Sequence, residues 1–267
     1  MATRFRILGS GSSGNAALLE TETTRVLIDA GFSGRKLRQM LHESGTSIDD
    51  VDAIFLTHEH GDHTAGIDAL KKHPNVTVFA NAATSRAVQA KLKHQVTWQV
   101  FETGARFKFR DLEIDAFSVP HDAQDPVGFA FTTGQEDDLF APRRTLTWLT
   151  DLGHTPQHVR RRIEEADLLA IESNHCARLL EADIRRPWST KQRILGRHGH
   201  LSNDGVKEIL EEIASPRWRH ICLTHVSRDC NSIEVVEASI GPLRDRLDNC
   251  EFSIVAPGGE TPFIDLI

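Results

Sequence analysis

Residues 57–63 read Thr-His-Glu-His-Gly-Asp-His, a short stretch that is dense in metal-ligand side chains. The apolar residues 53–56, Ala-Ile-Phe-Leu, precede it and predict a buried strand. A strand that ends in this motif delivers three imidazoles and a carboxylate from one rigid edge, a donor mixture that suits zinc or a similar divalent ion. The spacing predicts a metal site and indicates two ions, because His58 and His60 can face one side while Asp62 and His63 face another.

Composition restricts the classes of protein to consider. The chain has 267 residues and a formal net charge of -7, which argues against a protein that coats nucleic acid through bulk positive charge. No apolar stretch approaches the roughly 18 residues needed to span a bilayer, and the N-terminus lacks a signal-peptide pattern. The four cysteines form no C-x-x-C pair and are interpreted as reduced residues. We therefore expect a cytoplasmic protein that does not enter a membrane.

Strand and helix patterns alternate along the chain without a repeat or a long linker. They predict one domain over residues 1–267, an α/β (α+β) fold in which two mixed β-sheets pack face to face with helices outside, an αββα sandwich. Besides the strand before the histidine motif, predicted strands cover residues 4–8, 16–20, 25–29, 76–80, 106–109, 112–119, 127–132, 145–149, 168–172, 220–223 and 252–255. Predicted helices cover residues 34–43, capped by Ser33, 67–72, a stretch from about 82, 156–166, 204–214 and 233–247.

Three further metal-ligand candidates each follow a predicted strand. His121 comes after the strand at 112–119, Asp151 after the strand at 145–149, and His225 after the strand at 220–223. Open α/β sheets collect their functional groups at the carboxyl ends of strands. These three residues are therefore predicted to complete the site begun by the histidine motif.

The series formed by Asp29, the H-x-H-x-D-H motif at 58–63, His121, Asp151 and His225 resembles the five motifs of the metallo-β-lactamase superfamily, in order. The resemblance runs from Leu8 to about His225. It implies that one ion is held by His58, His60 and His121, and the second by Asp62, His63 and His225. It also implies that Asp151 bridges the ions and that Asp29 orders the histidine loop from behind. A bridging aspartate resembles the hydrolases and nucleases of this superfamily more than its zinc β-lactamases with a cysteine ligand.

Residues 8–15, 121–128, 172–175 and 199–203 narrow the resemblance to one branch. They are similar to the YycJ/WalJ-type bacterial proteins, themselves similar to tRNase Z and associated with 5′-to-3′ exonuclease activity on DNA. The resemblance implies nucleic acid as the substrate, with DNA preferred over RNA. Thirty positions separate His121 from Asp151 (151 − 121) and 74 separate Asp151 from His225 (225 − 151). These spacings leave no room for the substrate arm of many tRNase Z enzymes or for a β-CASP domain.

Two divalent ions at such a site have a defined chemistry. Ions about 3.5–4 Å apart share a hydroxide nucleophile and neutralise charge on phosphoryl oxygens during in-line attack. Zinc and manganese suit these donors best, and iron is compatible with them. Asp62 and Asp151 are thus both ligand and catalytic candidates. His200 resembles the proton donor of tRNase Z-like enzymes, and Glu172 is predicted to orient it.

Residues 185–200 predict where a nucleic acid would bind. They hold five basic side chains, no acidic one, and the aromatic Trp188, as a groove for a phosphate backbone and stacked bases requires. A solvated helix face is the alternative interpretation. Loop 9–15 offers backbone N–H groups to a phosphate, or is simply a tight turn near the metals. The predicted substrate-binding residues are Ser10, Asn15, Asn174, His175, Arg185, Arg186, Trp188, Arg193, Ser202 and Asn203.

Three functions compete at this point. The first is a dinuclear phosphodiesterase acting on nucleic acid, above all a DNA exonuclease. The second is a small-molecule hydrolase that opens a lactam, lactone or thioester, and the third is a non-hydrolytic di-iron carrier or metal-dependent regulator. The basic segment favours a phosphate substrate. The native metal, the oligomeric state and the role of His175, which could contact substrate, bind metal or support structure, remain open.

Overall fold

Two mixed β-sheets form the centre of the computed structural model, which describes residues 3–134 and 142–266. The first sheet holds seven strands in the order β14-β1-β2-β3-β4-β5-β6. Their bounds are β1 Thr3–Gly9, β2 Ala16–Glu20, β3 Arg25–Ile28, β4 Ala53–Phe55, β5 Thr77–Asn81, β6 Trp98–Phe101 and β14 Ile264–Leu266. The second holds seven in the order β13-β12-β11-β10-β9-β8-β7. Their bounds are β7 Arg106–Phe109, β8 Leu112–Ser118, β9 Val127–Thr133, β10 Arg144–Leu149, β11 Leu168–Glu172, β12 His220–Thr224 and β13 Glu251–Ile254.

The two sheets have matching topology. In the first, β14, β1, β2 and β3 pair antiparallel, and β3 to β6 pair parallel. In the second, β7 to β10 pair antiparallel, and β10 to β13 pair parallel. Each sheet therefore has a parallel half whose strands end at one edge, where loops carry functional side chains.

Helices cover both outer faces. The α-helices of the described residues are α1 Gly34–Glu43, α2 Gly61–Thr64, α3 Ala82–Gln89, α4 Gln157–Glu164, α5 Ala177–Ala182, α6 Trp188–Leu195, α7 Asn203–Ile213 and α8 Ile233–Arg244. Leu37 and Leu41 of α1 pack on the first sheet. Val159 of α4, Val206 of α7 and Ile240 of α8 pack on the second. The predicted αββα order is confirmed.

Aromatic side chains fill the space between the sheets. Phe55 of β4 stacks on Phe79 of β5 with ring centroids 4.6 Å apart, and its edge meets Phe131 of β9 at 5.3 Å. Phe5 of β1 contacts Trp148 of β10 at 6.1 Å. Burial of such large rings fixes the sheets against each other, and so fixes the loops at their shared edge.

Several predicted elements have the predicted bounds, and a few were missed. Helix α1 runs from Gly34 to Glu43 as predicted, with Ser33 accepting the Lys36 N–H at its start. The predicted helix at 67–72 is a 3₁₀ helix, Ile67–Lys72. Strands β6 and β14 and helices α5 and α6 were not predicted from the sequence.

No helix within the described residues is both long and apolar enough to cross a bilayer. All four cysteines are free thiols.

Candidate metal centre

The predicted ligands lie where loops from both sheets meet. Asp29 follows β3, the histidine loop follows β4, and Asp151 and His225 follow β10 and β12. Asp29, Asp151 and His225 have φ angles of 61°, 57° and 53°, the left-handed region that residues other than glycine rarely adopt. Such backbone strain persists only where surrounding contacts hold it, and it is concentrated at functional sites. The chain turns sharply at these residues and places their side chains at the shared edge.

The seven ligand candidates form two groups around Asp151. The rings of His58, His60 and His121 have centroids 4.5 to 5.2 Å apart, and one ligand atom from each lies within 4.8 Å of the others. In the second group, one ligand atom from each of Asp62, His63 and His225 lies within 4.8 Å of the other two. Asp151 carboxylate oxygens lie 3.0 Å from His63 Nε2, 3.8 Å from His121 Nε2 and 3.7 Å from His225 Nε2. The Asp151 carboxylate thus lies between the two groups of ligand candidates, and its bridging of two ions stays a prediction.

The imidazole orientations fit a metal site. The Nδ1 atoms are held at the back of the rings: His63 Nδ1 donates to Asp29 at 2.8 Å, and His121 Nδ1 donates to the Gly199 carbonyl at 3.2 Å. His225 Nδ1 lies 3.2 Å from Glu172 Oε2. The Nε2 atoms of His58 and His225 are buried without a hydrogen-bond partner among residues 3–134 and 142–266. Because buried polar atoms are normally satisfied, unpartnered imidazole nitrogens held in this way fit coordination of a cation.

Charge in the centre also favours a cation. Burial lowers the pKa of His58 well below its ordinary value, which keeps the ring in the neutral form that coordinates metal. Burial alone would raise the pKa of Asp151, but His225 and His63 hold it well below its usual range. Burial opposes protonation of His225, yet Asp151, Asp62 and Glu172 raise its pKa to about 10. The carboxylates therefore stay ionised and attract positive charge.

His200 and Glu172 form a pair beside the ligands. Glu172 is fully buried, and its Oε1 accepts the backbone N–H groups of Leu152 and Leu201 at 3.0 and 2.8 Å. Its Oε2 lies 3.0 Å from His200 Nδ1, so the predicted hydrogen bond is present. Burial opposes protonation of His200, but Glu172 raises its pKa above the ordinary value. His200 is thereby oriented by a fixed carboxylate, while its catalytic role stays a prediction.

Several predicted substrate-binding residues hold the ligand loops together. Ser10 is buried, and its Oγ accepts the His225 N–H at 2.9 Å and donates to Asn15 at 3.1 Å. Asn15 Nδ2 lies 3.1 Å from His63 Nε2. Asn174 Nδ2 donates to the His225 carbonyl at 3.0 Å. These side chains hold the loops together by hydrogen bonds, a structural role that the sequence did not indicate. Their contact with a substrate stays a prediction.

Other predicted substrate-binding residues lie around the start of α7. Ser202 caps this helix, accepting the Gly205 N–H at 3.0 Å. Asn203 is buried and bonds to Ser173 and Asn231. His175 is also buried, both its ring nitrogens lack a partner among the described residues, and burial lowers its pKa to about 4. His175 is therefore a neutral ring next to the centre but outside every group of ligand atoms.

The three arginines predicted to bind substrate in the segment 185–200 are paired with carboxylates. Arg185 and Arg186 form ion pairs with Asp183 and Asp229, and Arg193 lies 3.1 Å from Asp122. All three carboxylates belong to residues outside 185–200, so counting charge within that window missed them. Trp188, by contrast, is 60% exposed and available for stacking. Binding of nucleic acid by this segment stays a prediction.

Thr57 is a site residue that the sequence analysis did not single out. Its N–H and Oγ1 both bond to Asp29, at 2.9 and 3.0 Å, and Oγ1 lies 3.0 Å from His58 Nδ1. It therefore connects Asp29 to the histidine loop on the side opposite the ligand atoms. The sequence feature that could have identified Thr57 is its hydroxyl group directly before the first histidine of the motif.

Comparison with known proteins agrees with this fold and site. The β-lactamase superfamily domain matches residues 24–226. The chain belongs to the metallo-β-lactamase superfamily. Within it, the chain is 33% identical over 242 residues to exodeoxyribonuclease YycJ of Bacillus anthracis, covering 90% of this chain and 88% of that protein. It is 35% identical over 246 residues to exodeoxyribonuclease WalJ of Streptococcus pneumoniae serotype 2, covering 89% and 86%.

A solved structure shows the same fold. The metallo-β-lactamase fold protein YhfI from Bacillus subtilis superposes with a TM-score of 0.70 at 17% identity, covering 98% of this chain and 99% of that one. At this identity the likeness concerns the fold alone.

Substituting Asp29→Asn should lower the affinity for divalent metal by about 10- to 100-fold, because the amide no longer orients His63 or increases its basicity. The matched control is Asp49→Asn, since Asp49 also bonds a histidine, His73 at 2.6 Å, but at the surface. Isothermal titration of metal-stripped protein with Zn²⁺ measures both. Equal affinities for the two variants would show that Asp29 has no such role.

Proposed function

We propose that the chain is a metal-dependent phosphodiesterase that hydrolyses nucleic acid, and specifically a 5′-to-3′ DNA exonuclease. The observation that carries the proposal is the cage of seven ligand side chains, Asp151 and six others around it, in a chain about one-third identical to two exodeoxyribonucleases over nine-tenths of its length. We also propose that residues 1–267 form one domain and that the protein works in the cytoplasm.

The ligand residues suit two ions. His58, His60 and His121 would hold one, and Asp62, His63 and His225 the other, with Asp151 between them. When bound, divalent ions supply an activated water as nucleophile and neutralise charge on phosphoryl oxygens. Imidazole and carboxylate donors accept zinc or manganese, and we propose one of these as the native metal.

The chain's own groups supply the remaining steps. His60 and Asp62 are partly exposed while His58, His63 and Asp151 are buried, so the substrate approaches from the side of His60 and Asp62. Because Glu172 occupies Nδ1 of His200, the Nε2 atom is the one left to donate a proton to the leaving oxygen of the DNA strand. The raised pKa of His200 keeps this proton available near neutral pH.

A hydrolase of lactams, lactones or thioesters was the alternative from the sequence. Neither relative's activity supports it, and we do not propose it.

Incubation of the metal-loaded chain with end-labelled DNA and RNA, single- and double-stranded, tests the function. We expect stepwise release of nucleotides from the 5′ end of DNA, weaker action on RNA, and loss of activity on chelation or in His60→Ala, which removes a ligand. Gel analysis of product length over time distinguishes these outcomes. Internal cutting, or activity that persists in a metal-stripped His60→Ala protein, would contradict the proposal.

Replacing His200 by alanine should reduce kcat on DNA by about 10²- to 10⁴-fold while metal content is unchanged, because the leaving oxygen loses its proton donor. The loss should be much smaller on a p-nitrophenyl phosphodiester, whose leaving group departs without protonation. His198→Ala, an exposed histidine two residues away, is the matched control. Equal losses on both substrates would assign His200 another role.

A further inference from the structure

A crevice of about 200 Å³ lies beside the metal centre and has no part in the steps described above. Two loops form most of it, the glycine- and serine-rich turn after β1 and the segment that follows His225. Its lining includes Gly11, Ser12, Ser13, Arg186, Arg228 and Asp229. Its position next to a metal ligand makes it a candidate binding site for part of the substrate.

Hydrogen bonds fix the crevice to the metal ligands. Ser10, directly before its lining residues, accepts the His225 N–H at 2.9 Å through its side chain and the Gly258 N–H at 2.7 Å through its carbonyl. At the other end of the turn, the Asn15 N–H donates to the Asp62 carbonyl at 2.8 Å. A group bound in the crevice is thus held at a constant position relative to Asp62 and His225.

The charged side chains of the crevice differ in whether they are already paired with another side chain. Arg186 forms ion pairs with Asp183 and Asp229, and Asp229 also lies 3.3 Å from Arg185. Arg228 is exposed and makes no hydrogen bond or ion pair within residues 3–134 and 142–266. Asp229 is the only carboxylate among the described residues of the lining and is engaged by two arginines, so Arg228 has no counter-ion in the part of the chain that the structure describes.

Two hydroxyls face the same space. Ser12 and Ser13 are exposed and, like Arg228, have no hydrogen-bond partner in the described part of the chain. Gly11 has a φ of 131°, a conformation available to glycine, and this turn presents the two serines away from the core. A guanidinium with two hydroxyls is a donor set that matches phosphate oxygens.

We infer that this crevice binds a phosphate group of the DNA strand next to the bond that is cut, through Arg228, Ser12 and Ser13. The inference rests on the proposed function. The group is either the terminal 5′-phosphate or an internal phosphodiester, which have the same recognition chemistry. Binding there sets how far the strand extends past the metal centre, and so where the cut falls.

The test compares Arg228→Ala with Arg219→Ala in the metal-loaded chain. Arg219 precedes β12 and Arg228 follows it. The control therefore removes an exposed arginine at the opposite end of the same strand, one whose side chain has no partner among the described residues. Substrates are a single-stranded DNA with a 5′-phosphate and the same DNA with a 5′-hydroxyl. We expect Arg228→Ala to raise KM about tenfold and to reduce the salt dependence of binding by about one phosphate contact.

The substrates distinguish the two kinds of phosphate. A rise in KM confined to the 5′-phosphorylated DNA assigns the crevice to the terminal group, and an equal rise for both assigns it to an internal phosphodiester. Arg228→Lys, which keeps the charge, should recover part of the loss. An Arg228→Ala protein with the KM of Arg219→Ala on both DNAs overturns the inference while leaving the nuclease proposal intact. A wild-type chain that cuts neither DNA overturns both.

Discussion

Three carboxylates, those of Asp29, Asp151 and Glu172, are buried in the candidate metal centre, and the rest of the site depends on the contacts that offset the cost of burying them. An unpaired buried carboxylate costs several kcal/mol, so each must meet hydrogen-bond donors or positive charge. Glu172 has two backbone N–H donors as well as His200, and Asp29 has Thr57 and His63. Asp151 lies 3.0 to 3.8 Å from the imidazoles of His63, His121 and His225, while Asp62 and Glu172 add negative charge beside it. Divalent ions are the partners that would satisfy Asp151 and the unpartnered ring nitrogens together.

The fold supplies the rigidity that this arrangement needs. The ligand candidates come from loops of both sheets. They meet only while the aromatic core holds the two sheets in a fixed relative position. Left-handed backbone at Asp29, Asp151 and His225 is tolerated because neighbouring bonds, such as the one from the His225 N–H to Ser10, hold each turn. The same turn that carries Ser10 forms one wall of the crevice. Metal ligands and the proposed phosphate subsite are thus parts of one hydrogen-bonded unit.

The sequence predicted the sandwich because apolar strands are local patterns, and it identified the ligand candidates because they follow such strands closely. It missed β14, whose formation depends on pairing with β1 from the far end of the chain, and β6, which pairs on one side only and is half exposed. The sequence also does not show which contacts a loop side chain makes. The buried side chains of Ser10 and Asn203 bond to neighbouring loops, and Arg186 meets Asp229, 43 positions away.

If the seven ligand side chains hold a pair of divalent ions, a crystal structure of the zinc-loaded chain will show them by anomalous scattering. We expect two peaks about 2.0–2.2 Å from their ligand atoms, one by His58, His60 and His121, the other by Asp62, His63 and His225, with Asp151 reaching both. Peaks elsewhere on the surface and none inside the cage would contradict this expectation.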